Sequence, residues 1–511
     1  MRARLGLDCG MSVRDRRTAA LIFLSLLATY AYFFGGSGFS QNAQFSQARA
    51  IVERHTLAID AYLGNTADLS HNGSHTYPNK PPGMSLLTAI PYALIHLLAG
   101  PPTSAFALTL DLYLCTVAIC AVSGAALGAL MFVLSLRLGA TSRRAASVAL
   151  VIALGTPVFS YSTMLFMHVP SALLILASFG IAAGLLRKPL LIAGICAGLA
   201  TCMNYLAILA VVPIALLIYL RSDRRVRDLS LFVMGGLPFA LLLAAYQWAV
   251  FGSPARTSIA TTNPAFLSPG AFMGIFAAPT WEALFGITFS SYRGLFYIAP
   301  ILLLGMFGAI EFSRTVERRK LLIAIAISFA FFLTVNASFN GWHGGYAIGP
   351  RYLIPTIPLI GLLLVNVSTP RLLFRVMAAL SIALNLAVTA VDPQPPDRFK
   401  DPIGKYILPA LVTGSALQND PEVPVWIRNL YTGHTSTNRV AADEMLPFQR
   451  HAPGSPVSEW SSFNLGEIAF GPGALLSLAP LLAFWAGIAV MLTRWTTPSS
   501  RASAEEFPPS S

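Results

Sequence analysis

Apolar runs of about 20 residues, the length that carries a helix across a bilayer core, recur along this chain. They occupy roughly 18–36, 84–99, 105–136, 145–166, 168–186, 189–220, 228–251, 294–312, 321–339, 352–368, 373–391 and 473–493. The pattern predicts an all-α membrane protein, a polytopic helical bundle of about 11–13 transmembrane helices with long outer loops. A membrane barrel would show alternating segments of about 10 residues instead. Three stretches resist a simple reading. The 105–136 run is long for one crossing, 189–220 reads as two short helices or one tilted pair, and Pro157 and Pro170 interrupt 145–186. Alternation of sides fails unless 84–99 crosses only in part or one long run is a hairpin.

Polar connectors divide the chain further. Residues 1–17 form a basic leader, and 18–391 hold the transmembrane domain with outer loops 37–83 and 252–293. Residues 392–472 form a third outer stretch, a loop or small cap, whose "PEVPVWIRNLYTG" (421–433) is too apolar to be fully disordered. The last span, 473–493, precedes a Ser/Pro-rich disordered tail, 494–511. In the first loop, Phe45, Ala48, Ile51 and Val52 recur at helical spacing, which suits a helix lying on the membrane surface. The residues after it read as extended turns. The stretch "FLSPGAFMGIFAAP" in the second loop suits the interface.

Composition sharpens the class. The chain has 511 residues, 55% hydrophobic and 11% charged, against roughly 25% charged in soluble domains. The net charge of +12 does not point to nucleic acid. The basic residues cluster in short connectors such as "RDRR" (14–17), "RSDRRVR" (221–227) and "RTVERRK" (314–320), as the positive-inside rule expects of the cytoplasmic side. The first apolar run is longer than a signal-peptide core. It reads as an uncleaved span in the plasma (inner) membrane, with the N-terminus cytoplasmic. Cys9 lies in the leader and Cys115, Cys120, Cys196 and Cys202 in apolar runs, so no disulfide framework is implied.

Few ionisable residues sit beside spans in the outer loops, and such residues default to functional hypotheses. Lys80 stands in "YPNKPPGMS", a stiff turn opening into a helix whose free N–H groups suit an anion. The plain alternative is a lysine anchoring the span end. Arg351 stands in "WHGGYAIGPRYL", with Trp342, His343, Tyr346 and Tyr352. Glycines there let backbone approach a ligand, and arginine grips phosphate with two bonds. The plain alternative is an interfacial aromatic belt. Glu53, Asp60 and Asp68 are acids of the first loop, each alone more often a solvated side chain. His168 and Asp111 lie inside apolar runs, where a packed, hydrogen-bonded role competes with ligand contact. Asn72 heads a glycosylation sequon, a weak signal without a secretory context. No metal-ligand cluster stands out, and a divalent ion is left open.

The chain resembles the multi-span glycosyltransferases of the GT-C superfamily, relatives of the dolichyl-phosphate-mannose protein mannosyltransferases and the lipid A aminoarabinose transferases. The resemblance rests on "ARAIVERHTLAIDAY" (48–62), "HTYPNKPPGMSLL" (75–87), "GTPVFSYSTMLFMHVPSALL" (155–174) and "GGYAIGPRYLIPTIPL" (344–359), and covers roughly 18–370. It implies a polyprenyl-phosphate-linked sugar as donor, transfer at the outer face to a lipid, glycan or protein acceptor, and inversion at the sugar carbon. It assigns Lys80 and Arg351 to the donor phosphate, an acid of the first loop as general base, and Tyr77, His168, Trp342, His343, Tyr346 and Tyr352 to the substrate pocket. The superfamily often places an acidic pair after the first span, where this chain reads "SQNAQ" (40–44). The base is then Asp60 or Asp68, with Asp60 slightly preferred.

Two other classes compete. A transporter or flippase of lipid-linked sugars also uses outer cations and broken helices, but has no use for a general base in the first loop. A membrane scaffold leaves both glycine-rich lips unexplained.

Overall fold

In a computed structural model of the chain, residues 11–36, 38–395, 397, 399–413, 463–470 and 474–496 are described. The expected cap around 421–433, the tail from 497 and most of the basic leader lie outside them. The chain is a helical membrane protein. Among the described residues, five helices are long and apolar enough to cross a bilayer: Ala107–Arg137, Arg225–Phe251, Val316–Ser338, Arg371–Val391 and Leu475–Thr496. Shorter apolar helices, such as His168–Ala182 and Leu190–Met203, fill the space between them.

The stretches that resisted the hydropathy pattern have physical explanations. The 105–136 run is one continuous helix containing a π turn at Val117–Ala121. Its 31 residues span about 46 Å at 1.5 Å per residue, more than a bilayer core of about 30 Å. It is therefore no hairpin. The Gly83–Ala99 helix instead lies against the Phe39–Arg54 helix, with the Tyr92 hydroxyl bonded to Glu53, which fits a partial crossing. The 189–220 run breaks at Asn204 into Leu190–Met203 and Ile208–Arg221. The 145–166 run does not hold as one span. Its helix, Ser142–Leu154, stops at Gly155, and Pro157 opens a short buried helix, Val158–Tyr161.

The basic connectors converge at one end of the bundle. Arg318 donates to the Leu138 carbonyl and Arg144 to that of Leu364. Asp15 accepts from Ser142, and Arg221 pairs with Glu317 at 2.9 Å. Glycine permits a close helix contact: a Cβ at Gly194 would stand 1.9 Å from the Phe232 carbonyl oxygen, and one at Gly235 2.0 Å from that of Leu191. Small residues of this kind let membrane helices approach. The outward side chains of Arg225–Phe251, including Leu241 and Trp248, stay exposed, as expected of a helix facing lipid.

The first and last described helices are tied together. Phe33 and Phe34 pair antiparallel with Asn464 and Phe463. The Trp485 indole donates to the Thr29 hydroxyl at 2.9 Å, and the Arg14 guanidinium to the Trp495 carbonyl.

The first outer loop is more built than its sequence suggests. Phe39–Arg54 is helical, but Ser40 through Ala48 are all buried, so it is packed into the protein rather than lying on a surface with one face free. A hairpin follows, Leu69–Asn72 against His75–Pro78. Its tip holds Gly73 at φ 61°, a left-handed conformation that favours glycine.

Candidate active site

The hairpin sets the first half of the site. Its register pairs Leu69 with Pro78, and the Asn79 amide donates to the Asp68 carbonyl at 3.0 Å. Asp68 and Lys80 are thereby brought side by side at the open end of the ladder. Lys80 Nζ lies 2.8 Å from Asp68 Oδ2 and 2.6 Å from Asn79 Oδ1. Both charged side chains are mostly buried, 17% and 14% exposed. The prolines stiffen the exit from this turn, and Gly83 lets it approach the helix break at Asn204: a Cβ there would stand 2.5 Å from the Cys202 carbonyl.

The glycine-rich turn sets the second half. Gly344, Gly345 and Gly349 have φ of 77°, 66° and 63°, conformations that L side chains rarely adopt. A Cβ at Gly344 would also stand 3.2 Å from Arg351 Nε, so the arginine lies across the glycine. Arg351 Nη2 reaches the Tyr352 hydroxyl at 3.0 Å. Its guanidinium also sits 5.3 Å from the Phe166 ring centre. Its Nε is buried without a hydrogen-bond partner, and no carboxylate lies within ion-pair distance of it among the described residues.

These halves face one cavity of about 550 Å³, lined by Asp68, Lys80, His168, His343, Tyr346, Arg351 and Tyr352 among others. His168 is 1% exposed and stacks on Phe166 with centroids 5.0 Å apart. Neither of its ring nitrogens has a hydrogen-bond partner among the described residues. The packed, hydrogen-bonded histidine expected from sequence is packed but not hydrogen-bonded. Unpaired buried polar groups are costly, and this one faces the cavity.

Asp60, Tyr77 and Trp342 are placed elsewhere. Asp60 accepts from His75 Nδ1 and the Thr76 amide, each at 2.7 Å, so it fastens the hairpin and does not line the cavity. Of the two candidate acids, the cavity contains Asp68, not the preferred Asp60. Tyr77 packs on Phe251 with centroids 5.9 Å apart. Trp342 sits behind the cavity wall, edge-on to Tyr292 at 5.9 Å. Glu53 is held by Arg49, Tyr62 and Tyr92. Burial alone would raise its pKa, but these hydrogen bonds outweigh burial and hold the carboxylate below its usual range.

One residue of the site escaped the sequence reading. Arg293 is 1% exposed and donates to the carbonyls of His343 and Gly345 at 3.0 Å and of Tyr292 at 3.2 Å. It clamps the glycine-rich turn that carries Arg351. A lone arginine in "SSYRGLFYIAP", between an outer loop and an apolar run, was the available signal. Gln41, bonded to Gln394 at 2.8 Å, and Asn204 also line the cavity. The polar stretch after the first span thus includes a cavity residue. Among the described residues, no three His, Cys, Asp or Glu gather where they would hold a metal.

No protein-family model matches the chain, and no curated protein does. Solved structures do. The crystal structure of ArnT from Cupriavidus metallidurans in the apo state aligns with a TM-score of 0.46 at 13% identity, over 95% of this chain and 76% of that one. ArnT from the same organism bound to undecaprenyl phosphate aligns with a TM-score of 0.44 at 14% identity, over 93% and 76%. The archaeal oligosaccharyltransferase AglB from Archaeoglobus fulgidus, in complex with an inhibitory peptide and a dolichol-phosphate, aligns with a TM-score of 0.43 at 12% identity, over 80% of this chain and 59% of that one. The likeness is one of chain path.

Proposed function

We propose that the chain is a glycosyltransferase that moves a sugar from a polyprenyl-phosphate donor to a lipid, glycan or protein acceptor at the outer face of the inner membrane, its N-terminus cytoplasmic. The observation that carries this reading is the convergence of Lys80, Arg351 and Asp68 on one cavity. Arg351 has no carboxylate within ion-pair distance among the described residues, and a mostly buried guanidinium of that kind favours an anion.

Each residue then has a role. Arg351 and Lys80 hold the donor phosphate. As the bond from the sugar carbon to the phosphate oxygen breaks, negative charge grows on that oxygen, and both cations stabilise it in a site of low dielectric. Asp68 takes the proton from the acceptor hydroxyl as that oxygen attacks the sugar carbon from the opposite side, which inverts its configuration. In the resting site Asp68 is paired with Lys80, so the donor phosphate takes over Lys80 before the carboxylate is free to act. His168, His343, Tyr346 and Tyr352 line the remainder.

The test uses purified protein in lipid nanodiscs. Undecaprenyl phosphate is expected to bind the wild type, with Lys80→Ala and Arg351→Ala each weakening binding at least about tenfold, the range for removing one partner of a desolvated charge pair. Wild-type affinity in both variants overturns the reading. Transfer is then measured with a sugar-loaded donor. Asp68→Asn is expected to abolish it and preserve donor binding. Lipid movement across the bilayer that survives Asp68→Asn, with no transfer in any form, favours the flippase instead.

A further inference from the structure

The cavity wall holds a buried imidazole whose nitrogens have nothing to bond, and the use inferred for it rests on the glycosyl-transfer reading. His168 is 1% exposed, and neither ring nitrogen has a hydrogen-bond partner among the described residues. Its ring stacks on Phe166, with centroids 5.0 Å apart, and stands edge-on to Tyr161 at 5.7 Å and Tyr352 at 6.0 Å. These rings account for an aromatic side chain here, but not for a polar one. Phenylalanine would pack among them without stranding two polar atoms, and stranded polar atoms cost stability.

Arg351 supplies a reason. Its guanidinium carbon stands 5.3 Å from the Phe166 ring centre and 5.0 Å from that of Tyr352, so the arginine and the histidine pack on the same two rings. His168 opens the helix His168–Ala182 and Arg351 the short helix Arg351–Thr356, and these two helices touch. Both side chains line the cavity that Lys80 also lines. Arg351 Nε is stranded as well. An imidazole carries at least one N–H in either protonation state, and a guanidinium only donates. Two N–H donors thus share one aromatic recess, each in need of an acceptor. Asn336 Oδ1, another stranded atom of the cavity, differs: the Asn336 amide nitrogen is given to the Trp342 carbonyl at 2.9 Å. Its oxygen can only accept, so it offers nothing to a phosphate.

We propose that His168 is a third ligand of the donor phosphate, beside Arg351 and Lys80, and donates a ring N–H to the oxygen that leaves the sugar carbon. No proton changes hands on this bond. The bond from the sugar carbon to the phosphate oxygen breaks, and its electron pair stays on that oxygen. The acceptor oxygen bonds to the carbon, and the acceptor proton goes to Asp68. Charge on the leaving oxygen rises throughout, so a hydrogen bond aimed at it is stronger in the transition state than in the bound donor. A buried aromatic recess strengthens it further. Such a residue trades stability for function.

Undecaprenyl phosphate carries the phosphate and no sugar, so its binding to the protein in nanodiscs reads the proposed contact alone. His168→Phe keeps a ring on Phe166 and removes both nitrogens. It is expected to weaken binding of undecaprenyl phosphate at least about tenfold, the loss for a hydrogen bond to a charged group. The melting temperature of the lipid-free protein is expected to stay the same or rise. His168→Leu makes the same test should the phenylalanine variant not fold. His168→Asn and His168→Gln restore an N–H near Nδ1 and Nε2 respectively, and one of them is expected to recover part of the affinity, which identifies the donating nitrogen. With a sugar-loaded donor, kcat in His168→Phe is expected to fall by a larger factor than KM rises. Wild-type affinity in His168→Phe overturns the proposal and leaves the glycosyl-transfer reading standing. A fall in affinity matched by a fall in melting temperature, with no recovery in either amide variant, also overturns it and makes His168 a packing residue. Loss of binding confined to the sugar-loaded lipid puts the ring on the sugar instead, and an unchanged kcat removes the bond to the leaving oxygen. Failure of undecaprenyl phosphate to bind the wild type removes both the proposal and the reading beneath it.

Discussion

Asp68 and Lys80 are twelve residues apart in sequence and 2.8 Å apart in space, and the hairpin between them accounts for the difference. The ion pair joins the proposed base to a proposed phosphate ligand, so a change to either one reaches the other. Lys80→Ala leaves a mostly buried carboxylate without its cation, whereas Lys80→Ala with Asp68→Asn removes both charges. The double variant is expected to be more stable than Lys80→Ala alone by about 1–3 kcal/mol, the cost of an unsatisfied buried group. Thermal unfolding of the four proteins in one detergent measures this coupling.

Asp60 provides a contrast. It bonds His75 and the Thr76 amide and is substantially exposed. Asp60→Asn is expected to leave transfer within about twofold of wild type and to cost less than about 1 kcal/mol, as exposed ion pairs do. A loss of turnover with donor binding intact would return the role of base to Asp60.

Arg293 is expected to act through the turn it clamps. Arg293→Met leaves three carbonyls without their donor, at about 1 kcal/mol or more each, and frees the glycine-rich turn. Binding of undecaprenyl phosphate is expected to weaken together with the melting temperature. Arg293→Lys, which keeps the charge but not the fork, is expected to recover only part of either. Wild-type lipid affinity in Arg293→Met would show that the turn does not need the clamp.

His343 makes the site sensitive to acid. Burial is the main cause that holds its imidazole below the ordinary value; Asp397 opposes the shift, and Arg293, Arg351 and Lys400 add to it. As pH falls through 6.5, the ordinary value of a free histidine, the unfolded chain takes up this proton before the folded one does. The stability tied to His343 is therefore complete above that pH and is lost as pH falls through the lower folded value. Protonation also ends the Gly345 N–H to Nδ1 bond. Between pH 8 and 5, lipid-phosphate affinity and melting temperature are expected to fall, and to fall less in His343→Gln. Parallel curves for both proteins would assign the acid response to other groups.

The helix contact at Gly194 gives a test of the scaffold. Gly194→Val places a side chain against the Phe232 carbonyl and is expected to cost about 1–3 kcal/mol through forced separation of the two helices. Unfolding at the wild-type temperature would show that the contact yields freely.

Hydropathy made the membrane class and most helix positions legible, because transmembrane helices must be long and apolar. It could not reveal where Gly155 stops a helix, since the residues beyond are equally apolar and equally buried. The two cationic lips were legible because prolines and glycines beside a lone charge are locally conspicuous. The choice between Asp60 and Asp68 was not. It depends on hairpin register, set around the turn at Gly73, and the whole stretch 56–79 reads from sequence as extended turns. Arg293 was missed because two of the three carbonyls it binds, those of His343 and Gly345, lie about 50 residues away, and a lone arginine beside an apolar run does not reveal them.

The pairing of Phe33 and Phe34 with Asn464 and Phe463, with Trp485 bonded to Thr29, bears on biogenesis. The opening helix emerges from the ribosome with its indole partner still hundreds of codons away. Until those later residues are made, the helix and the strand after it lack the partners they have in the folded chain. A nonsense mutation near the terminus would therefore harm the oldest part of the nascent chain as much as the youngest.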